Sequence, residues 1–453
     1  GVLYSGALIS KLRGRYERVS PMRLILTALL CLALPGAVLA QATPAEQAMM
    51  RTVEAEHDRH VALLERLVNQ NSGTLNLAGV RATGEMVRAE LEPLGFAVRW
   101  IDMAETGRAG HLVATHPGRG RNVLLIGHLD TVFEADSPFQ TFQRGEGARA
   151  TGPGIGDDKG GVVVIVAALR AMQAAGTLED ANVTVVLTGD EERIGTPASV
   201  ARRDLIEAGR AAAFALEFEN LAVDDGAEFG TVARRSSSNW TLTATGRTGH
   251  SSGVFNDTLG YGAIYEVARI LDGFRRELPE PNLTYNVGVI AGGTPAEIDA
   301  EGFNVTASGK TNIVASTAIA RGDLRTLTAE QDARVRAGMQ AIVADHLPHT
   351  SAELVFGDGG YPPMAPTEGN RALLARLNAV NRDLGLPEMA EYDPARRGAA
   401  DSGFVAGDVD TLGGLGIAGG GAHAEGEWVD LDSLVRQSQR AAVLISRLSL
   451  EGL

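Results

Sequence analysis

The sequence predicts an α/β fold of two layered domains, one inserted into the other, and three observations predict it. From Thr43 to about Gly230, helical and buried-strand patterns alternate, as they do in layered α/β proteins with a largely buried sheet. From about Ala233 the order becomes β-α-β-β-α-β, the split ferredoxin-like unit. After residue 357 the chain returns to a helix, a glycine-rich stretch and a long terminal helix. The boundaries are therefore 41–232 for the first half of a principal domain, 233–357 for the insert and 358–453 for the second half. A chain of 453 residues exceeds one ordinary core, which agrees with two domains.

The elements follow in order. Lys11, Arg13, Arg15, Arg18 and Arg23 precede an apolar run from Leu24 to Leu34, and Val38-Leu39-Ala40 follow. A basic region, a short apolar core and a small-residue cleavage site read as a signal peptide over 1–40, with an uncleaved anchor as the alternative. Met22 is a candidate true start, which makes 1–21 an over-extended frame. The reading implies an exported protein, periplasmic or secreted, with no stable membrane association after cleavage. Helices are expected over Ala45–Asn69 and Gly79–Leu91, and strands over Ala97–Ile101, His111–Thr115 and Val123–Ile126. A helix over Gly160–Ala175 and strands over Val183–Leu187 and Ala212–Glu219 complete the first half. In the insert, Trp240–Thr245, Leu283–Ile290, Ser316–Arg325 and Ala352–Phe356 read as strands. Leu259–Glu277 and Thr328–His346 read as its helices, and Asn370–Leu384 and Leu431–Leu450 as helices of the second half.

Net charge is −15, which argues against nucleic acid and anionic membrane surfaces as partners. Removal of 1–40 takes away five positive charges and one negative one, leaving −19. The single cysteine, Cys31, lies in that segment. The remainder then has no thiol, hence no disulfide, cysteine nucleophile or cysteine metal site. Any metal must be held by His, Asp and Glu.

Such residues stand at the ends of the buried strands. "NVLLIGHLDTVF" (Asn122–Phe133) closes an apolar run with His128 and Asp130. Open α/β sheets put ligands beyond the carboxyl ends of their strands. There a His can bind metal through one nitrogen while a carboxylate fixes the other. "TGPGIGDDKGG" (Thr151–Gly161) adds Asp157 and Asp158 after glycines that let backbone approach a ligand; one of the pair can cap the next helix while the other faces the site. "VTVVLTGDEE" ends a second strand in Asp190, Glu191 and Glu192. Three acids at a buried strand end repel one another unless a cation or proton intervenes. "AAAFALEFEN" supplies Glu217 and Glu219, and "GGGAHAEGEW" supplies His423. Nitrogen and oxygen ligands without sulfur suit zinc, cobalt or manganese, and the inventory suffices for two divalent ions that share a carboxylate.

This order of motifs resembles the dinuclear zinc metallopeptidase family of glutamate carboxypeptidase, aminoacylase, acetylornithine deacetylase and succinyl-diaminopimelate desuccinylase. It is most similar to the glutamate carboxypeptidase branch through "GPGIGDDKGG", "LTGDEE" and "EFE". The resemblance implies a catalytic domain with a mixed sheet between helices and an inserted lid or dimerisation domain. It implies that His128 and Glu219 bind one zinc and His423 and Glu192 the other. Asp157 bridges the pair, Asp130 orients His128, and Glu191 is the general base. Glu217 and Glu219 share a strand face, so spacing does not choose between them; the Phe-Glu context of the family selects Glu219. In the insert, "TGRTGHSSG" offers His250 as an oxyanion donor, and "TNIVAS" offers Asn312, with Ala315 where the family has proline. Arg325 in "GDLR" resembles a residue that grips the substrate carboxylate. A homodimer is implied.

The expected activity is metal-dependent hydrolysis of an amide next to a free carboxylate, releasing C-terminal amino acids from short peptides or N-acyl amino acids. One alternative is a deacylase of the acetylornithine deacetylase or desuccinylase type. The other is a non-catalytic peptide-binding protein, against which the base Glu191 argues.

Overall fold

The computed structural model describes residues 42–299 and 302–453. The segment read as a signal peptide, with Cys31, lies outside the described residues.

The principal domain is built on a six-stranded mixed sheet. Its strand order is Ala97–Asp102, Gly110–His116, Asn182–Thr188, Asn122–His128, Phe214–Glu217 and Thr411–Leu412. The last four run parallel, and the first two are joined antiparallel at one edge. Val123 to Ile126 are wholly buried, because each face of their strand meets a different core. Val123 and Leu125 enter the larger core, with the helices Gly161–Ala174 and Leu431–Leu450, whereas Leu124 and Ile126 enter a smaller one with Leu205 and Val405. That alternation has the period of a strand and explains why the sequence there is continuously apolar.

The chain order around Asn122–His128 fixes where a ligand can sit. The connection through helix Gly161–Ala174 leads to the strand on one side, Asn182–Thr188. The connection through helix Arg203–Ala211 leads to the strand on the other, Phe214–Glu217. The sheet therefore has its switch point at the carboxyl end of Asn122–His128, where crevices open in such sheets.

The insert has the strand order Thr284–Gly293, Thr317–Arg325, Ser238–Gly246, Thr350–Phe356, all antiparallel. Helices Ala263–Glu277 and Ala329–Ala344 cover one face around Trp240, Phe274 and Met339. This is the ferredoxin-like unit expected from the sequence. The strand Thr284–Gly293 stands at an edge and exposes Val287, Val289 and Ile290. Two chain crossings join the insert to the principal domain, and they pair with each other as bridges Arg234 to Met364 and Ser237 to Tyr361.

Several boundaries differ from those expected. The helix expected over Ala45–Asn69 is two helices, Pro44–Ala55 and His57–Asn69. The break falls at Glu56, whose carboxylate is drawn to Arg170 at 2.7 and 2.8 Å. The insert's first helix begins at Ala263 rather than Leu259, because Gly260 and Gly262 adopt positive φ, which a right-handed helix excludes. The strand expected over Ala212–Glu219 is only Phe214–Glu217.

Candidate active site

The carboxyl ends of three parallel strands deliver His128, the Asp190–Glu192 turn and the Glu217–Glu219 segment to one crevice. Asp157 arrives from the turn before helix Gly161–Ala174. That turn is pressed beneath the strand: a Cβ at Gly127 would stand 2.6 Å from Asp158 Oδ2, so a side chain there would have to displace the Asp158 carboxylate. Asp158 is buried there and accepts the His128 amide at 3.2 Å. Neither aspartate caps the helix; its N-cap is Gly160, with no side-chain cap bond. The expectation that one of them caps is therefore corrected, since Asp157 faces the crevice and Asp158 the strand above it.

His423 comes from the second half of the domain. Gly419–Gly420 pairs with Trp428–Asp430, which in turn pairs with Arg149–Thr151 just before the glycine loop. The hairpin therefore brings its tip to Asp157. At that tip His423 has φ +65°, a conformation that costs a residue with a Cβ roughly 1–2 kcal/mol. Its Nε2 lies 3.2 Å from Asp157 Oδ2 and 3.1 Å from Glu192 Oε2. His128 Nε2 lies 3.1 Å from Asp157 Oδ1. Asp157 thus stands between two sets: His128, Asp157 and Glu219, and Asp157, Glu192 and His423. Within each set one ligand atom per residue lies within 4.8 Å of the others. His128, Glu191 and Glu192 form a third such set.

The donor chemistry fits divalent ions. Both rings present Nε2 toward carboxylates, and Glu192 Oε1 is buried without a hydrogen-bond partner. The backs of the candidate ligands are held. His128 Nδ1 faces the Asp130 carbonyl at 3.1 Å and its carboxylate at 3.4 Å. Asp130 also accepts Thr74 Oγ1 at 2.6 Å and the amides of Glu191 and Glu192 at 3.0 and 3.1 Å. One carboxylate therefore sets both a histidine and the acidic turn opposite it.

The neighbouring acids divide by partner. Asp190 turns inward to Arg202 at 2.6 Å, leaving Glu191 and Glu192 toward the crevice. Arg234 bonds Glu217 Oε1 at 2.6 Å and Glu219 Oε2 at 2.9 Å. Glu217 also takes the Gly414 amide at 3.0 Å, and it belongs to neither ligand set. Glu219 lies beyond the strand end, so strand-face alternation does not govern it.

Charge follows this geometry. Burial works against the charge of Asp157, yet hydrogen bonds from His128 and His423 hold its pKa well below the usual carboxylate range. His423 is raised to about 10 by its bonds to Asp157 and Glu192. Burial lowers the His128 pKa, but its bonds to Asp130 and Asp157 prevail and raise it. Burial, with Glu217 and Asp157 nearby, raises Glu219 to about 8 against the pull of Arg234. Burial and the Glu219 charge raise Glu191 well above the carboxylate range.

The structure does not bring the insert's three expected residues together. His250 is exposed and bonds Ser252 Oγ at 2.8 Å in its own loop. Asn312 adjoins it, its carbonyl accepting the Ser251 amide at 2.9 Å. Arg325 sits at the other end of strand Thr317–Arg325, paired with Asp323 at 3.0 Å. Strand rise puts those ends about 27 Å apart. Within one chain, Arg325 and Asn312 therefore stand at opposite ends of this strand.

Sequence reasoning missed four supports. Glu427 accepts the amides of Gly154, Gly156 and Asp157, each at 2.9 Å; its signal lay in the "GGGAHAEGEW" stretch that supplied His423. Arg234, Thr74 and Tyr361 gave no local signal, since each acts across a long sequence separation.

The chain is similar to known proteins over most of its length. The profile of peptidase family M20/M25/M40 matches residues 124–447. Carboxypeptidase G2 of Pseudomonas sp. (strain RS-16) is 29% identical over 423 residues, covering 91% of this chain and 94% of that protein. Succinyl-diaminopimelate desuccinylase of Gluconobacter oxydans (strain 621H) is 25% identical over 387 residues, covering 83% and 93%. A dinuclear metal-binding peptidase of the M20 family from Bacillus subtilis has the same fold. The TM-score is 0.61 at 15% identity, covering 88% of this chain and 99% of that one.

Metal uptake should release protons. Ligation requires neutral imidazole and charged carboxylate, whereas the values of His423, about 10, and Glu219, about 8, lie above their ordinary ones. Both groups therefore hold protons at pH 7 and lose them as pH rises through those values, so metal affinity should increase from pH 6 to pH 8. Calorimetric titration of zinc into chelated protein, in buffers of different ionisation enthalpy, should show net proton release at pH 7, to which His128, also raised, contributes. Uptake without release would contradict the assigned electrostatics.

Proposed function

Given that the chain belongs to peptidase family M20/M25/M40 and is a hydrolase of the metallopeptidase type, we propose that it cleaves an amide bond next to a free carboxylate. It would release C-terminal amino acids from short peptides or from N-acyl amino acids. The observation that carries this reading is the shared position of Asp157 between the His128–Glu219 and Glu192–His423 sets, with Glu191 beside them. Two divalent ions fit, most simply zinc, with His128, Asp157 and Glu219 around one and Asp157, Glu192 and His423 around the other. Such ions supply Lewis-acid polarisation of the scissile carbonyl and acidification of water. Glu191 takes a proton from the attacking water and delivers it to the leaving nitrogen. Asp130 keeps the His128 ring in place and fixes the amides of the acidic turn. Similarity to succinyl-diaminopimelate desuccinylases favours, as a second reading, removal of an acyl group from an amino acid. Export rests on residues 1–40 of the sequence alone.

The insert serves this reading as a lid and dimerisation domain. His250 and Asn312 sit together at the end of its sheet remote from the two chain crossings, and Arg325 sits at the near end. A second copy supplying His250 and Asn312, while the first supplies Arg325, would assemble all three. The exposed edge strand Thr284–Gly293 is a surface that pairing would cover. His250 would then donate to the oxyanion as it forms.

Glu191→Gln should retain both metals and lose ~10²–10⁴ in kcat. Glu192→Gln should lose metal, as read by elemental analysis. The reverse pattern would exchange the two roles.

The substrate carboxylate should matter. Amidating it should lower kcat/KM ~10-fold or more, because a charge-assisted bond contributes about 1.5–3 kcal/mol. Equal turnover of acid and amide would remove Arg325 from the site.

Mixing His250→Ala with Glu191→Gln protein under subunit exchange should restore part of the activity, since one site of each mixed dimer then carries neither lesion. No recovery after proven exchange would mean that His250 does not act across the interface.

A further inference from the structure

The reading of Glu191 as a base raises a question of precision. A flexible carboxylate at a strand end must be held where it meets water, and misplacement by about 1 Å can cost ~10²-fold in rate. The amide of Glu191 is bound by Asp130 at 3.0 Å. Its carbonyl, on the other side of the same Cα, is bound by the hydroxyl of Tyr361. Tyr361 does not belong to the sheet that carries Glu191. It lies on the segment through which the insert returns to the principal domain, and it pairs with the outgoing segment. Ser237 donates to the Tyr361 carbonyl at 3.0 Å, and the Tyr361 amide donates to Ser237 at 2.7 Å.

The hydroxyl is itself directed. It accepts from Arg202 Nη2 at 3.3 Å, which leaves its proton for the Glu191 carbonyl. Arg202 is wholly buried and fixed by Asp190 and Asp401, each at 2.6 Å. The Tyr361 ring meets Phe404 edge-on, at 5.4 Å and 67°.

We propose that Tyr361 is a positioning residue that holds the peptide of the base Glu191 through its hydroxyl and ties the placement of that base to the crossing segments of the insert. The proposal rests on Glu191 being the base. The other crossing makes a parallel contact: Arg234, three residues before Ser237, bonds Glu219 at 2.9 Å. Each crossing thus sends one side chain to the catalytic crevice, one to the base and one to a candidate metal ligand. Reorientation of the insert would move both.

The test is a double-mutant cycle on the full, zinc-loaded chain. Tyr361→Phe keeps the ring and its contact with Phe404 and removes only the hydroxyl. It should lower kcat ~10-fold, with KM and metal content unchanged. In a Glu191→Gln background, where no base remains to be placed, the same substitution should change kcat by less than about twofold. An equal loss in both backgrounds, a loss of metal, or no loss in the single variant would each overturn the proposal. Wild-type turnover by Glu191→Gln alone would instead remove Glu191 as the base and this proposal with it; that outcome is read before Tyr361 is touched.

Discussion

The arrangement of the site depends on one demand: Asp157 must stand charged between two histidines while four further carboxylates, of Asp130, Glu191, Glu192 and Glu219, crowd the same crevice. Like charges this close are tolerated only where each is assigned a counter-partner. The fold makes those assignments one at a time. Arg234 takes the second oxygen of Glu219, three donors take Asp130, and the two imidazoles take Asp157. Glu192 Oε1 is buried without a hydrogen-bond partner. The demand also reaches into the backbone. The turn that carries Asp157 lies so close under the central strand that a Cβ at Gly127 would press on the Asp158 carboxylate, and three of its amides converge on Glu427.

Much of this was legible in the sequence because the ligands sit where a periodic signal breaks. Val123 to Ile126 announce a strand buried on both faces, and His128 and Asp130 interrupt it. The same holds for Asp190–Glu192 and for Glu217–Glu219. The β-α-β-β-α-β order of the insert was equally legible, since each element there has its own clear periodicity. What escaped were pairings across long sequence separations. Glu427 to Gly154, Arg234 to Glu219 and Tyr361 to Glu191 carry no local period, and charge and hydrogen-bonding capacity alone do not say which partner will be chosen. Spacing alone left Glu217 and Glu219 equivalent, and only the family resemblance chose Glu219. The strand stops at Glu217, so the two-residue alternation that made them equivalent ends before it reaches Glu219.

The insert shows where periodicity misleads about function. Its strand Thr317–Arg325 was legible, and the two substrate-binding residues read from the family resemblance lie before its start, Asn312, and at its last position, Arg325. An extended strand separates its ends more effectively than any other element of equal residue number. Neighbours in a motif list thereby become residues at opposite ends of a sheet. A site that uses both must draw them from different chains or use them for different groups of the substrate.

The two crossings give the insert a closer relation to chemistry than a cover would need. A lid held only by its edges could swing without altering the residues beneath it. Here the outgoing crossing carries Arg234, which bonds both Glu217 and Glu219, and the returning crossing carries Tyr361. The crossings are also bonded to each other through Ser237 and Tyr361 and through Arg234 and Met364. Domain closure in hydrolases is often treated as a matter of excluding water. In this chain the segments that join the insert to the principal domain are the same ones that bond the Glu191 carbonyl and the candidate metal ligand Glu219. The root of the insert and the crevice are thereby joined through a few hydrogen bonds.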